Sequence, residues 1–323
     1  MTAAMMFAGV DIGGTGVKVG IVTSEGVVAA REQENYHPEK HEPLDVVDLA
    51  VAVLHKVLTM AHLGLGDLEA VGVGCPGVLE AGGVIRAAAN FPSWMDVPLQ
   101  QLFTDTLGRP VTVCNDADAA ILAEQWVGTA KGGIKDFIML TLGTGVGFGV
   151  VANGELVRGG SNAIEGGHMI VERNGRQCGC SQRGCLEAYS SAGALMSQAQ
   201  EHLRAGMLLS VVFFDHMPTS FVYSVAGRDS SLSKFSEADI NAEFVFKHAA
   251  EGDALCKHLI EEAADYLGFA CVTFCRMLDP QIIVLSGGIA EAGETYIEQI
   301  RRAYDKHTWT KFPNPVRIEK ASA

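Results

Sequence analysis

The amino-acid sequence predicts an α/β protein in which one fold occurs twice, and two observations support this. Residues 8–22 and residues 136–150 share one pattern, in which apolar strand formers flank a glycine-rich turn. Because chance rarely gives such a pattern twice, the repeat indicates an internal duplication. In addition, the apolar run 110–114 leads directly into an alanine-rich helical segment, a junction typical of open α/β sheets.

Composition and charge narrow the class of protein. The chain has 323 residues, of which 48% are apolar and 19% charged, enough for two globular domains with large buried cores. The formal net charge of −14 disfavours binding to nucleic acid or to anionic membranes. We expect neither a membrane span nor a secretory signal, and the dispersed cysteines favour a reducing cytoplasm over a disulfide framework.

The first glycine turn, DIGGT at residues 11–15, allows two interpretations. Its glycines let a phosphate group approach the backbone N–H groups, and Asp11 is placed to orient a Mg²⁺ ion, which prefers carboxylate and water ligands. Alternatively, the glycines only close a structural hairpin. The spacing matches neither GxxxxGK[ST] nor GxGxxG, so two common nucleotide-binding loops are not supported.

Short strands and helices are predicted between the two glycine turns, at 27–31, 46–61, 70–75 and 97–107. Residues 90–94 are predicted to form a loop, in which Asn90 either hydrogen-bonds a polyol or caps a turn. Asn115 and Asp116 follow the strand 110–114 and therefore lie at the carboxyl edge of a sheet, where ligands bind. Alternatively, Asp116 only caps the helix that continues to Val127.

A second glycine turn, LGTG at residues 142–145, is followed by predicted helices and a core strand. The helices are expected at 186–204, 242–251, 253–278 and 293–306, and the strand at 280–286, just before Gly287 and Gly288. The segment 206–225 is apolar and predicted to be β-like, but it is too short and too interrupted to span a membrane.

A cluster of metal-binding residue types follows the second glycine turn. His168 and three cysteines, Cys178, Cys180 and Cys185, make a Cys₃His set, which zinc accepts in tetrahedral structural sites. Thiolates favour zinc over calcium or magnesium. Two acids flank the cluster, Glu165 and Glu187, and we interpret them as groups that a rigid metal site would hold in place for another ligand.

Together these motifs resemble those of the ROK family of sugar kinases and repressors, in particular its bacterial zinc-containing glucokinases. The matching motifs are DIGGT at 11–15, Asn115-Asp116, LGTG at 142–145, EGGH at 165–168, the cysteine cluster and Gly287-Gly288. The resemblance implies an actin-like ATPase (ribonuclease H-like) duplicated fold, with two α/β domains around a cleft. We expect a small domain at 1–117 and a larger one with the metal motif at 118–306, with 307–323 as a candidate completion of the first.

The resemblance also implies a role for each motif. Asp116 would be the catalytic base, and the hexose would contact Asn90, Asn115, Asp116, Glu165, His168 and Glu187. The residues that would hold the nucleotide and Mg²⁺ are Asp11, Gly13, Gly14, Thr15, Lys18, Gly143, Thr144 and Gly145. Gly287 and Gly288 would line the adenosine pocket. Structural Zn²⁺ would be held by His168, Cys178, Cys180 and Cys185.

The implied activity is transfer of the ATP γ-phosphoryl group to a hexose, with glucose giving glucose 6-phosphate in glycolysis. Fructose, mannose, allose and N-acetylmannosamine remain alternative substrates, and polyphosphate an alternative donor. A sugar-responsive repressor of the same family is less favoured, since it needs an N-terminal helix-turn-helix and only about ten residues precede the first turn. We expect a homodimer or homotetramer. Because His168 would face both zinc and sugar, chelation or Cys180→Ala should weaken sugar binding more than nucleotide binding.

The sequence departs from the family pattern at several places. Ser181 stands where the family often has glycine, and Asp118 replaces a usual asparagine. Residues 207–225 are predicted to be an insertion. Family members usually continue with a glycine- and alanine-rich helix after the position of Ala323.

Overall fold

The computed structural model of the chain describes residues 4–36, 41–88, 91–160, 164–208, 230–312 and 316–323. These residues divide into two compact units. Unit 1 spans 1–132, 156–164 and 322–323, and unit 2 spans 133–155 and 165–321, each apart from its undescribed positions.

Unit 1 contains two sheets and three helices among its described residues. Its strands are β1 (Met6–Ile12), β2 (Gly16–Thr23), β3 (Val28–Asn35), β4 (Leu68–Cys75), β5 (Val78–Glu80), β6 (Val84–Ala88), β7 (Phe91–Val97) and β8 (Val111–Asn115). Its helices are α1 (Pro43–Met60), α2 (Leu99–Leu107) and α3 (Asp116–Trp126). The larger sheet has the order β3-β2-β1-β4-β8, in which β1, β2 and β3 are antiparallel neighbours and β4 and β8 run parallel to β1.

Helix α1 shows why this part of the chain is helical. Pro43 stands at the start, where a missing N–H costs nothing, and the side chain of Asp45 accepts the backbone N–H of Glu42. Apolar residues recur at helical spacing, and one face from Val46 to Leu58 is buried against the large sheet. This packing supplies much of the core of unit 1 and orients β1 and its glycine turn.

The small sheet β5-β6-β7 was not predicted, and the predicted loop at 90–94 is wrong for its described part. Residues 91–97 form strand β7, which pairs with β6. Phe91 and Trp94 are fully buried, and their rings stack 4.3 Å apart. Burial of two large aromatic side chains therefore outweighs the turn preference of the proline and serine between them. Asn90 lies outside the described residues.

Unit 2 contains one five-stranded sheet and five helices among its described residues. The strands are β9 (Phe137–Leu142), β10 (Val146–Ala152), β11 (Glu155–Leu156), β12 (Ile282–Ser286) and β13 (Arg317–Lys320), in the order β11-β10-β9-β12-β13. The helices are α4 (Glu187–Ser190), α5 (Ala192–Leu208), α6 (Ala242–Ala250), α7 (Ala254–Leu278) and α8 (Glu294–His307).

The two large sheets confirm the predicted duplication. In each, an antiparallel hairpin with a glycine turn leads, and the first strand of that hairpin pairs in parallel with a later strand, which pairs in parallel with another. Each unit also has its own buried apolar cluster. The sequence repeat is thus a repeat of topology, as the actin-like ATPase fold requires.

The compact units divide at different positions from the predicted domains. Helix α3 packs on β4 and β8, so the first division falls after Gly132 and not after residue 117. At the C-terminal end, β13 pairs with β12 in unit 2, and only residues 322–323 belong to unit 1. The division into functional domains stays a prediction.

The helix predicted at 186–204 is broken into α4 and α5. Ser191 is extended, with a ψ of 165°, and its hydroxyl accepts the N–H of Ala194 at 2.9 Å. This local hydrogen bond competes with helix continuation, as serine side chains commonly do. The predicted apolar insertion lies almost wholly outside the described residues. Among the helices described, none is long and apolar enough to cross a membrane.

Candidate functional site

The first glycine turn joins β1 to β2 and is closed by its own backbone. The N–H of Gly13 donates to the carbonyl of Gly16 at 2.9 Å. Tyr36 then braces the turn from outside, because its hydroxyl donates to the Gly13 carbonyl at 2.6 Å and its N–H to the Thr15 carbonyl at 3.1 Å. Burial, with a contribution from Cys75, raises the pKa of the Tyr36 phenol, so the hydroxyl remains a donor. The role of Tyr36 was not predicted, since a lone tyrosine after a strand carries no pattern.

Asp11 and Lys18 face each other across the hairpin. They are register partners on β1 and β2, and the Lys18 Nζ lies 3.2 Å from Asp11 Oδ2. Both side chains are exposed, 69% for Lys18 and 49% for Asp11. A carboxylate and an ammonium group therefore stand together beside the glycine turn, where they can meet a phosphate and its cation.

The junction of β8 and α3 holds Asn115 and Asp116 where the sequence placed them, at the carboxyl end of a parallel strand. Asn115 is the residue that caps the helix: its side chain accepts the N–H of Ala117 at 2.8 Å and donates to the Gly77 carbonyl at 3.2 Å. Asp116 accepts the same Ala117 N–H at 2.9 Å through Oδ1. The capping role considered for Asp116 thus falls mainly to Asn115.

The carboxyl group of Asp116 is a stronger base than an ordinary aspartate. Its side chain has solvent-exposed surface, yet nearby protein atoms desolvate it and raise its pKa, and the negative charge of Asp11 acts in the same direction. Hydrogen bonding to Ala117 partly opposes the shift. A carboxylate of this kind is suited to accept a proton from a bound hydroxyl.

Asp118, the residue that departs from the family pattern, lies two residues after Asp116 in α3. Its carboxylate is 3.6 Å from the Arg158 guanidinium. Burial raises the pKa of Asp118, and the charge of Arg158 works against that rise. The aspartate is therefore accommodated by an ion pair with residue 158.

The second glycine turn joins β9 to β10 and is closed in the same way, by the Gly143 N–H donating to the Gly145 carbonyl at 3.0 Å. Its supports differ. The Val146 N–H donates to Glu187 Oε2 at 3.0 Å, and the N–H groups at the start of α5 donate to the turn, Ala192 to the Gly143 carbonyl and Gly193 to the Thr144 carbonyl. Three hydrogen bonds from α4 and α5 therefore fix this turn.

Gly287 and Gly288 adjoin the second turn. The Ile289 N–H donates to the Leu142 carbonyl at 3.0 Å, which ties the segment to the end of β9. Gly287 has a φ of +90°, and a Cβ atom there would lie 2.5 Å from the Leu142 carbonyl oxygen. Only glycine fits this close approach of two backbones.

The predicted metal ligands converge in unit 2. The Cys178 Sγ lies 3.6 Å from His168 Nδ1, the Sγ atoms of Cys180 and Cys185 are 3.6 Å apart, and all four ligand atoms lie within 4.8 Å of one another. Zinc with a Zn–S bond of about 2.3 Å needs tetrahedral ligand atoms about 3.8 Å apart. The four residues therefore fit a tetrahedral thiolate-imidazole site.

The chemistry of the thiols also suits a soft metal ion. Burial opposes ionisation of Cys180, but hydrogen bonds from the Gln182 backbone and the neighbouring thiols lower its pKa to about 7. Burial and the adjacent sulfur of Cys180 raise the pKa of Cys185 to about 12. One thiol is thus ready to lose its proton, whereas others need a cation to displace theirs.

The loop that carries the cysteines is folded by short backbone contacts. Isolated bridges pair Ile170 with Cys185 and Gln177 with Arg183. Ser181 has a left-handed φ of 72°, a backbone conformation that favours glycine. A non-glycine residue there costs on the order of 1 kcal/mol, so the departure at Ser181 carries local strain.

The two acids that flank the cluster have different environments. Glu165 is exposed and precedes the short helical turn that presents His168. Glu187 is half-buried at the start of α4, where Oε2 accepts the Val146 N–H and Oε1 accepts the Cys178 thiol at 3.5 Å. The proximity of Glu187 to the cluster was predicted from the sequence, but its contact with the residue after the glycine turn was not.

A cavity of about 470 Å³ opens beside the cluster within unit 2. Thr144, Cys178 and Glu187 share its lining with two arginines. Arg176 is bound by both carboxylate oxygens of Glu201, at 2.6 and 2.7 Å, and Arg183 donates to the Gly175 carbonyl. The cavity shows that the glycine turn and the cluster lie on one continuous wall.

Comparison with known proteins adds to this geometry. A sequence profile described as the ROK family matches residues 7–323. A glucokinase from Thermotoga maritima is 33% identical over 298 residues, which are 91% of this chain and 85% of that protein. An N-acetylmannosamine kinase from Vibrio vulnificus is 28% identical over 94% of this chain and 89% of its own length. The structure of a ROK family glucokinase from Streptomyces griseus, in complex with glucose and AMPPNP, matches with a TM-score of 0.76 and 27% identity, covering 98% of this chain and 94% of that one.

Proposed function

Because this chain belongs to the ROK family, we propose that it is an ATP-dependent sugar kinase that transfers the γ-phosphoryl group to a hexose. Glucose is the favoured acceptor, since relatives named glucokinase match most of the chain. The observation that carries the proposal is the carboxylate of Asp116, which stands at the end of β8 with a raised pKa beside Asp11.

Asp116 acts as the base for the hexose hydroxyl. Phosphoryl transfer needs mainly positioning and charge stabilisation, so the proton leaves late and a carboxylate suffices. The N-cap role of Asn115 supports this assignment, because it fixes the first turn of α3 and with it the direction of Asp116. Asn115 would also contact a sugar hydroxyl with its amide.

The two glycine turns hold the phosphates. Their backbone N–H groups, with Lys18, offset the negative charge of ATP, and Asp11 orients the Mg²⁺ ion through carboxylate and water contacts. Gly13, Gly14 and Thr15 would contact one part of the nucleotide, and Gly143, Thr144 and Gly145 another. Gly287 and Gly288 would border the adenosine.

The sugar is recognised by polar groups that bind a sugar with the wrong arrangement of hydroxyl groups less tightly. Glu165, His168 and Glu187 would accept or donate hydrogen bonds to adjacent hydroxyls, and an unpaired buried group would penalise a poor substrate. Asn90 is also proposed to contact the hexose, on the basis of its resemblance to the family motif alone. Fructose, mannose, allose and N-acetylmannosamine remain alternative acceptors, the last because a kinase for it is among the relatives.

Zinc is the proposed resident metal of the cluster. His168, Cys178, Cys180 and Cys185 would hold it, and it would supply a fixed anchor for the loop without taking part at the reacting atoms. We also propose that the protein is cytoplasmic and that it forms a homodimer or a homotetramer. Sedimentation of the purified protein would measure the assembly.

Asp116→Asn tests the central assignment. We expect kcat to fall by about 10²–10⁴-fold, because the base is lost while the shape of the site is kept. The acid limb of the wild-type pH profile should lie above the ordinary Asp pKa of about 3.9, since a raised pKa means that the active carboxylate forms only at higher pH. A coupled ADP-release assay across pH, with a panel of hexoses, measures kcat, the pH profile and the acceptor preference. Detection of the sugar phosphate product, with polyphosphate replacing ATP, tests the alternative donor.

Asp118→Asn is the matched control on the same helix, because it makes the same chemical change two residues away. It should leave kcat within about twofold of wild type. Near-normal turnover by Asp116→Asn would remove Asp116 from the role of base. Absence of phosphorylation of every hexose by the wild-type protein would reject the kinase proposal itself.

A further inference from the structure

Glu187 connects the cysteine cluster to the second glycine turn. One carboxylate oxygen accepts the Cys178 thiol at 3.5 Å, and the other accepts the Val146 N–H at 3.0 Å. Glu187 also follows the buried Cys185 by only two residues in the sequence. A single side chain therefore contacts both a metal-ligand candidate and Val146, the residue that directly follows the second glycine turn.

The space around this carboxylate confirms that the fit is close. A Cβ atom built on Gly145 would lie 2.4 Å from Glu187 Oε2, so a side chain at residue 145 would displace this carboxylate oxygen from its present position. The segment just after α4 adds two more hydrogen bonds to the same turn, from the N–H groups of Ala192 and Gly193. The position of the turn thus depends on where the loop of the cluster places α4 and the start of α5.

Resting on the proposed function, we propose that Glu187 is a positioning residue for the nucleotide: it transmits the order of the metal cluster to the second glycine turn. A carboxylate that accepts a backbone N–H fixes that N–H more firmly than water does. A metal ion on the four ligands would fix the loop that ends at Cys185 and hence the start of α4. Metal loading should then strengthen nucleotide binding, and not sugar binding alone.

This inference differs from a role in sugar recognition. If Glu187 contacted only the sugar, its loss would leave nucleotide binding in the absence of sugar unchanged. If it holds the turn, its loss weakens nucleotide binding even without sugar, and the Val146 amide exchanges faster with solvent. These two readouts separate the roles without relying on turnover.

The experiment compares Glu187→Ala and Glu187→Gln with Glu165→Gln, a matched change in the other flanking acid. MgADP binding is measured by calorimetry without sugar, and hydrogen exchange of Val146 is measured by mass spectrometry on the full chain. Loss of a charge-assisted hydrogen bond to the turn predicts a Kd for MgADP about 10-fold higher in Glu187→Ala and faster exchange by a similar factor.

The conservative variant should rescue part of the effect. The amide oxygen of Glu187→Gln can still accept the Val146 N–H, so we expect a Kd for MgADP raised only about threefold. Glu165→Gln should leave MgADP binding and Val146 exchange unchanged. Wild-type values of both quantities in Glu187→Ala, together with weaker glucose binding, would overturn the inference.

Metal removal supplies the second arm. Chelation of wild-type protein should speed Val146 exchange, whereas chelation of Glu187→Ala should add little, because the connection is already cut. Equal effects of chelation on both proteins would mean that metal and Glu187 act independently, and the proposed coupling would be wrong. If the wild-type protein bound MgADP but phosphorylated no hexose, the kinase proposal would fail while this inference would still be tested.

Discussion

The two glycine turns have the same local form and different supports. In each, a glycine N–H closes the turn onto a nearby glycine carbonyl, Gly13 to Gly16 at 2.9 Å and Gly143 to Gly145 at 3.0 Å. The first turn is braced by one neutral side chain, that of Tyr36, together with its backbone N–H. The second is braced by the charged Glu187 and by the start of α5.

The residues at equivalent register positions also differ. The strand pair that carries Asp11 and Lys18 beside the first turn carries Thr141 and Gly147 beside the second. A duplicated hairpin has therefore kept the turn while its charged groups differ. The difference indicates that the first turn can supply its own charges for a phosphate and cation, whereas the second depends on an acid held by a neighbouring loop.

Gly145→Ala should break the second turn with the largest effect on stability. The new methyl group would lie where Glu187 Oε2 now stands, so the carboxylate must move and give up the Val146 N–H. Loss of a hydrogen bond to a charged group costs about 1.5–3 kcal/mol of unfolding free energy. Urea unfolding of both proteins measures the cost.

Gly143→Ala is the control, because a Cβ atom there meets no other atom within 4 Å. Its unfolding free energy should lie within about 0.5 kcal/mol of wild type. Equal losses in the two variants would show that backbone flexibility, and not the Glu187 contact, decides the stability of this turn.

Tyr36→Phe should loosen the first turn by a smaller amount. The substitution removes the hydroxyl that donates to the Gly13 carbonyl but keeps the ring, which lies parallel to Phe91 at 6.4 Å. A neutral hydrogen bond contributes about 0.5–1.5 kcal/mol. We expect a loss of unfolding free energy in this range and a rise in the KM for ATP, measured by urea unfolding and steady-state kinetics.

A change in the KM for hexose without a change in the KM for ATP would contradict this prediction. Such a result would separate Tyr36 from the phosphate turn. A loss as large as that of Gly145→Ala would remove the contrast between neutral and charged braces.

The sequence predicted the two turns, the junction at Asn115 and Asp116 and the metal cluster, because each depends on residues close together in the chain. It did not predict the braces. Tyr36 lies 23 residues from Gly13 and Glu187 lies 41 from Val146, and no local pattern reports such contacts. The same reason applies to β13, which is defined by its parallel partner β12, and to the limit of unit 1, which is set by the packing of α3.

One buried acid shows how far a sequence-based prediction can miss. Glu124 is 2% exposed on α3 and accepts the backbone N–H groups of Thr129, Ser322 and Ala323. Its partners lie up to 199 residues away. These hydrogen bonds compensate for burying the charge, and they explain why residues 322–323 join unit 1 and not the sheet that precedes them.

Lys18→Met should have the smallest effect on stability, and it tests the charged pair beside the first glycine turn. The ion pair with Asp11 is exposed, and pairs of this kind contribute about 0.2–1 kcal/mol or less. We therefore expect a change in unfolding free energy near the lower limit, which disappears at high salt because the charges are screened.

If Lys18 binds the nucleotide, as proposed, the same variant should also raise the KM for ATP at low salt. A large loss of stability with an unchanged KM would assign Lys18 to the fold, and the first turn would then rely on backbone N–H groups and Asp11 alone, more like the second.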